Sequence, residues 1–436
     1  MSDPATVNDV IRAASPALDR LLSPLGRRAV FPADIPFQAA QARGKEMNAT
    51  IGQITDGDGR PLPLEPLADG LRGLPEGLRD RGLLYSSVEG IPELRRAWRQ
   101  WQRRLAPEGA APVSLPLVTV GLTHGLSLVA DLFGGEGRPV VVPWPCWGNY
   151  RQVFQLRTGA ELLEVRGFDG EGYRCEAVEE VLAERPEQEP ALAVLNLPSN
   201  PGGYSLDRAE RRRVRESLVR AAHHRPLLVL CDDAYAGLVY EEEIPRASIF
   251  WELVGSHPNL VPVKVDGVTK ELSFFGGRVG FLTFPFEPES SVAEALESKV
   301  KCLLRGTLGS PVAVSQALSL RALGSPGIEG EVERIRTVLD RRYRTLKEAL
   351  ATVPPGLFRS LPFNSGCFAL LELREELGIT AEQARLHLLE NRSTGLVAIA
   401  PRFLRIAFCS VRESSVPDLV ARIVSGVEEL AGRSGA

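Results

Sequence analysis

The sequence is poor in the residues that build metal and redox sites. Only five histidines occur in 436 residues, two of them adjacent at His223 and His224. Six cysteines stand far apart, at 146, 175, 231, 302, 367 and 409, and no CxxC pair exists. This argues against a zinc site or a disulfide framework and for reduced thiols in a cytosolic protein. Positive charge is not in excess: the formal net charge is −4, which removes the basic footprint of a nucleic-acid binder. Long apolar runs are missing, so no membrane-spanning helix is expected. The first residues, MSDPATVNDVIRAASP, carry acids and lack the apolar core of a signal peptide. Repeats and low-complexity blocks are lacking too. The expectation is a cytoplasmic protein with no metal, in which Lys, Asp, Arg and Tyr carry the chemistry.

What the chain does contain is an ordinary globular mix, 44% hydrophobic and 24% charged. Its length suits a large domain plus a smaller one. From about residue 115, short apolar runs alternate with helical patterns. The expected strands are 117–120, 139–144, 191–197, 226–232, 260–267 and 277–284; helical spacing covers 123–133 and 207–222. Continuous apolar strands between amphipathic helices predict an α/β fold with a mainly parallel sheet covered on both faces. A long helix is expected over 329–351, then a strand at 367–373, a helix at 381–391, short strands near 396–408 and a last helix at 416–431. The expected division is 1–60 and 326–436 as a small domain built from both termini, and 61–325 as the large one. Pro107 to Pro116 reads as a surface loop.

Ligands of an open α/β sheet bind beyond the carboxyl ends of its strands, so those ends hold the candidates. Gly121-Leu122-Thr123 opens a helix, a ready anion site through its free N–H groups, or else a plain turn capped by Thr123. In NLPSNPGG (196–203), Pro198 and Pro201 stiffen the backbone around Asn200. Asp232 ends the next strand, and Tyr235 follows. Thr269-Lys270 ends another, with Arg278 close behind. A buried lysine has a lowered pKa and becomes a nucleophilic amine, and a nearby arginine can hold a phosphate. The plain alternative is a pair of solvated cations.

Taken in order, MNATIGQITDGDGRPLPL (47–64), YSSVEGIPELRRA (85–97), VTVGLTHGL (118–126), PCWGN (145–149), NLPSNPGG (196–203), DDAYAGLVY (232–240), TKELSFFGGRVG (269–280) and LRIAF (404–408) resemble the class I aminotransferases. The aspartate and aromatic branch is the nearest in appearance. The resemblance implies a fold-type I enzyme dependent on pyridoxal 5'-phosphate, with a seven-stranded-type sheet and a smaller α+β domain. It implies that Lys270 is the Schiff-base lysine and the proton shuttle, and that Asp232 lies under the pyridine nitrogen. Asn200 and Tyr235 would bond the ring hydroxyl, and Trp147 would stack on the ring. Leu122, Thr123 and Arg278 would hold the phosphate, with Tyr85 reaching the phosphate of a neighbouring subunit in a homodimer. Arg405 would clamp the substrate α-carboxylate beside Gly52, and Arg305 would read a second carboxylate across the subunits. Ping-pong transfer between an amino acid and a 2-oxo acid follows, with aspartate or glutamate as the expected donor and an aromatic amino acid next.

Several positions depart from that pattern. Gly202 stands where the family usually has Thr. Gly267 stands where it often has a serine for the phosphate, so one contact is expected to be missing. His124 reads as a helix-start residue, and the connection from Ala400 to Arg405 is shorter than usual. Two other readings stay open: a lyase or decarboxylase of the same fold, because the cofactor supplies the chemistry and the protein chooses the bond, and a regulatory protein that only binds the cofactor.

Overall fold

Seven strands, six of them apolar runs, pair into one sheet in the computed structural model, which describes residues 3–32, 34–170 and 172–434. The strands are β1 (Leu117–Thr119), β2 (Pro139–Trp144), β3 (Glu161–Arg166), β4 (Ala191–Asn196), β5 (Leu227–Asp232), β6 (Leu260–Gly267) and β7 (Gly280–Thr283). Their order across the sheet is β1-β7-β6-β5-β4-β2-β3. β7 runs antiparallel to β1 and β6, while the pairs from β6 to β3 are parallel. Every residue of β5 is buried, as a central parallel strand requires when both its faces are covered.

The six expected strands are all present; those at 139–144 and 260–267 have the expected bounds and the other four are shorter. β7 begins at Gly280 rather than 277, because Phe275–Gly277 forms a tight turn and Arg278 takes a left-handed backbone (φ 53°) before the strand. β3 is a strand that the apolar pattern did not reveal. It lies at the sheet edge, and its sequence ELLEVR keeps Glu164 and Arg166 exposed, so it carries no continuous apolar run. Helix α1 (Ile35–Gln41) precedes the sheet, followed by α2 (Pro92–Arg103), α3 (Gly121–Phe133), α4 (Arg208–His224) and α5 (Ser291–Thr307). α4 starts on a full capping box, Asp207 with Glu210. The loop at 107–116 is only partly at the surface, since Val113 and Ser114 are buried.

Beyond the sheet, α6 (Ile328–Ala351) leads to β8 (Phe358–Ser360), β9 (Phe368–Leu373), α7 (Ala381–Asn391), β10 (Val397–Ile399), β11 (Phe403–Ala407) and α8 (Val416–Ser434). The four strands form a second, antiparallel sheet in the order β8-β9-β11-β10. The N-terminal segment is stitched to this layer. Met47–Asn48 pairs with Thr394–Gly395, Ala407 N–H donates to Ala49 O at 2.9 Å, and the Gln38 amide exchanges two hydrogen bonds with Ala398. Among the described residues no helix is long and apolar enough to cross a membrane.

One glycine joins the two layers. Gly203 sits at φ +68°, and a Cβ there would lie 1.9 Å from Phe368 O on β9. Its carbonyl accepts the N–H groups of Asn364 and Ser365. Gly203→Ala is therefore expected to destabilise the protein by about 1–3 kcal/mol; an unchanged midpoint in urea unfolding would show that the layers are not held at this point.

Candidate active site

The carboxyl ends of the parallel strands surround a cavity of about 200 Å³. Each wall comes from a segment that leaves the sheet there: Leu122 and Thr123 open α3, Trp147 follows β2, Asn196 and Asn200 follow β4, Asp232 and Tyr235 follow β5, and Thr269, Lys270 and Arg278 follow β6. Eight of the residues expected from sequence thus share one wall.

Asp232 is 3% exposed. The buried Tyr150 hydroxyl donates to its Oδ2 at 2.5 Å, while its Oδ1 has no hydrogen-bond partner among the described residues. Burial pushes the carboxyl up to about 6, against the lowering influence of the Tyr150 bond and the Lys270 charge. Lys270 sits in the helical turn Val268–Glu271. Its ammonium is 5.1 Å from the centre of the Tyr235 ring. Burial holds it below the ordinary lysine value, opposed by the Asp232 carboxylate.

Arg405, on β11, is 1% exposed. It donates to Asn200 Oδ1 at 2.9 Å and to Thr50 O at 2.6 Å, and its guanidinium lies 4.3 Å from the Phe368 ring centre. Its Nε has no partner among the described residues. Burial lowers its pKa to about 10. Gly52 packs on the same aromatic ring: a Cβ there would be 2.4 Å from Phe368 Cζ. The positions from 50 to 52 thus border Arg405 because the backbone comes that close.

Two expected residues lie elsewhere. Tyr85 is 98% exposed, and Arg305 is exposed in the last turn of α5; neither lines the cavity of its own chain. α3 begins at Gly121, as expected of a helix opening there, but its cap residue is Val120 and not Thr123; His124 Nδ1 accepts the Val120 N–H at 3.2 Å, which places His124 in the first turn. Gly267 has no room for a serine, since a Cβ would stand 2.6 Å from Val279 O.

Sequence reasoning missed Tyr150 and the part played by Thr269. Thr269 Oγ1 is buried on the cavity wall without a partner among the described residues. A hydroxyl beside Lys270 was visible as a Thr-Lys pair, but its orientation was not. Tyr150 lies three residues after Trp147, in a segment that forms a π-helix (Arg151–Leu156) just beyond, and its indirect position gave no motif.

The donor set suits pyridoxal phosphate. Lys270, Arg278 and Arg405 outnumber the single carboxylate of Asp232, which favours an anionic ligand. The unpartnered Oδ1 of Asp232 matches a protonated ring nitrogen, and the free Thr269 hydroxyl and α3 N-terminus match phosphate oxygens.

Fold and site together define a pyridoxal-phosphate enzyme of fold type I. Residues 45–423 match the family "Aminotransferase class I and II". The aspartate aminotransferase of Rhizobium meliloti is 26% identical over 365 residues, covering 79% of this chain and 82% of its own. The 2-aminoadipate transaminase of Thermus thermophilus is 28% identical over 387 residues, covering 85% and 89%. A Pyrococcus horikoshii kynurenine aminotransferase, solved with PMP, kynurenine and its product, superposes with a TM-score of 0.79 at 19% identity, covering 95% of this chain and 98% of that one. The chain belongs to the class I and II aminotransferases and is a pyridoxal-phosphate-dependent transaminase.

A pH effect follows from Asp232. Its folded value, about 6, lies above that of a free carboxylate, so its contribution to stability is complete below the unfolded value and is lost as pH rises through 6. Lowering pH from 7 to 5 is expected to stabilise the apoprotein through this group by on the order of 1 kcal/mol, and Asp232→Asn to remove that part. Tyr150→Phe should raise the Asp232 value further. Carbon-13 NMR of labelled apoprotein reads it directly, and an unmoved titration would mean that the phenol contributes nothing.

Proposed function

We propose that Lys270 holds the cofactor and carries a proton between the substrate α-carbon and the cofactor, in a homodimeric cytoplasmic enzyme that exchanges amino groups between an amino acid and a 2-oxo acid. The observation behind this reading is the half-satisfied Asp232 carboxylate sharing a buried cavity with a lysine of lowered pKa. When bound, the cofactor supplies an electron sink. Asp232 favours protonation of its ring nitrogen by charge attraction, with Tyr150 holding the other oxygen. Trp147 packs edge-on against Tyr150 at 5.6 Å, which fixes one wall for the ring. Tyr235 and Asn200 offer further polar groups on the cavity wall. Leu122, Thr123, Thr269 and Arg278 gather at the phosphate end. Arg405, oriented by Asn200 and Thr50, can hold an α-carboxylate with its remaining donors and thereby fix the α-carbon near Lys270. On this reading residues 61–325 carry the cofactor, and 1–60 with 326–436 supply Arg405 and Gly52.

The dimer is supported by an apolar patch. Leu83, Leu84 and Tyr85 are 79%, 70% and 98% exposed, with Leu308, Val312 and Val314 also bare, and Ser86 Oγ ties the two segments by donating to Pro311 O at 2.9 Å. Such a patch marks a protein interface. Arg305 stands at its border, so a partner's Tyr85 and Arg305 would complete the site.

An acidic donor read by the partner's Arg305 is the first substrate reading. A second, apolar or aromatic donor is favoured by the cleft outside the cavity. This cleft, about 990 Å³, is lined by Ile35, Phe37, Trp147, Val397 and Ile399, with Asp34 on its rim. A carboxylate oxygen there without a hydrogen-bond partner among the described residues opposes an acidic side chain.

Spectra of protein reconstituted with pyridoxal phosphate, titrated in turn with aspartate, glutamate, tyrosine and phenylalanine, decide between them. Conversion to the pyridoxamine spectrum is expected. A spectrum left unconverted by all four would overturn both the acidic and the aromatic donor readings. Lys270→Ala should fold yet lose the cofactor's visible band and all turnover. Arg305→Ala should weaken acidic donors by about 1.5–3 kcal/mol, roughly ten- to a hundredfold, and spare aromatic ones; equal losses would remove Arg305 from the pocket.

A further inference from the structure

Beneath the cavity, on the side of the sheet away from it, lies a set of buried charges that no step above uses. Lys264 on β6 is 3% exposed, Asp233 2% and Asp266 1%. The Lys264 ammonium pairs with Asp233, just past the end of β5, and with Asp266 Oδ2 at 3.1 Å. Asp266 also accepts the indole N–H of Trp98 at 2.9 Å and the amide of Gln102 at 2.9 Å, both from α2. Gln102 reaches on to Thr283 Oγ1 of β7 at 3.2 Å, and Trp98 stacks flat on Phe281 of the same strand, 4.4 Å between centres. One turn along α2, the Trp101 indole donates to Glu271 Oε2 at 2.8 Å, and the Arg104 guanidinium lies 3.5 Å over the Trp101 ring.

The order along the chain gives this arrangement its meaning. Asp266 and Glu271 flank Lys270 on either side, and each is held by an indole of the same helix. Asp233 directly follows Asp232, and its N–H donates to Val265 O at 2.9 Å. The Lys264 bridge therefore ties the residue after Asp232 to the strand that leads to Lys270. A buried charge left without its partner is costly, so each pair resists sliding of β5 against β6 or lifting of the turn Val268–Glu271. Apolar packing alone is non-directional and would not fix that distance.

We propose that Lys264, Trp98 and Trp101 are positioning residues, a buried brace that sets the turn bearing Lys270 against Asp232. The proposal rests on the cofactor roles given above for those two residues. Its test has one arm that does not. Amide hydrogen exchange of the apoprotein is measured over 268–274, alongside the dissociation rate of pyridoxal phosphate from the reconstituted protein and the thermal midpoint. The variants are Trp101→Phe, which keeps the ring and removes the donor, Glu271→Ala, and Glu271→Gln. Burial pushes the Glu271 carboxyl up, so the amide is a close stand-in that still accepts the indole proton. Trp101→Phe and Glu271→Ala are expected to speed exchange in the turn and cofactor loss by about tenfold each, the scale of one lost hydrogen bond. Glu271→Gln should stay within about twofold of the parent on the same scale. Lys264→Met should accelerate exchange in 268–274 as well. A fall in thermal midpoint with exchange in the turn and cofactor loss both unchanged overturns the brace and leaves a merely structural role. If the parent protein binds no pyridoxal phosphate, the cofactor roles fail, and exchange alone decides the brace.

Discussion

Asp232 has one carboxylate oxygen bonded to the Tyr150 hydroxyl and the other bonded to nothing among the described residues, inside a site where it is 3% exposed. A buried carboxylate with a free oxygen is an unfavourable arrangement by itself. It becomes favourable only with a cationic or proton-bearing partner, and the nearby Lys270 offers charge without a hydrogen bond. The rest of the cavity follows from this tension. The other charged groups on its wall, Lys270 and Arg278, are cations, and Arg405 stands behind Asn200 of the same wall, so the site is arranged for a ligand that brings a proton to one end and negative charge to the other.

The topology explains why these groups meet. Residues 196, 232 and 267 end three adjacent strands, β4, β5 and β6, so the segments that follow them open onto one crevice although they are far apart in sequence. The second sheet then delivers Arg405 from the opposite side. Its approach is fixed by contacts that cross between the layers: Arg405 to Asn200, Gly203 against Phe368, and Phe368 under both Arg405 and Tyr235. Phe368 is thus a shared floor, touching the helix-free stretch at Gly52, the cation on β11 and the tyrosine after β5.

Much of this was legible in the sequence because the relevant features are local. Apolar runs pointed to the central strands, strand ends offered Asp232, Asn200 and Lys270 as candidates, and the family resemblance supplied their expected roles. Where the signal was two-sided, it faded. β3 is an edge strand with charges on its open face, so no apolar run announced it. Tyr150 acts through Asp232, eighty-two positions away, and no spacing rule joins them. The buried charges at Lys264, Asp266 and Asp233 read in sequence as ordinary polar residues, because burial of a charge is decided by tertiary packing. Tyr85 and Arg305 show the opposite limit: their positions are legible, but both lie outside the cavity of their own chain, and the use proposed for them requires a second subunit.

Gly267 shows how a local departure can be read once the backbone is known. A serine at that position was expected to help hold a phosphate, and its absence suggested a weaker site. Yet Val279 O and Gly280 Cα occupy the space a side chain would need, at 2.6 and 2.8 Å from a Cβ. The close approach of β7 to the end of β6 is what excludes it. That same approach, with Arg278 held in a left-handed conformation at the start of β7, places the guanidinium of Arg278 against Gly121 at the opening of α3. The tight turn thus leaves no side chain at Gly267 but keeps the Arg278 cation at the helix N-terminus, while Thr269 keeps a hydroxyl without a partner among the described residues on the cavity wall. A charge-assisted donor is roughly twice as strong as a neutral one, so the loss at Gly267 is compatible with firm anion binding.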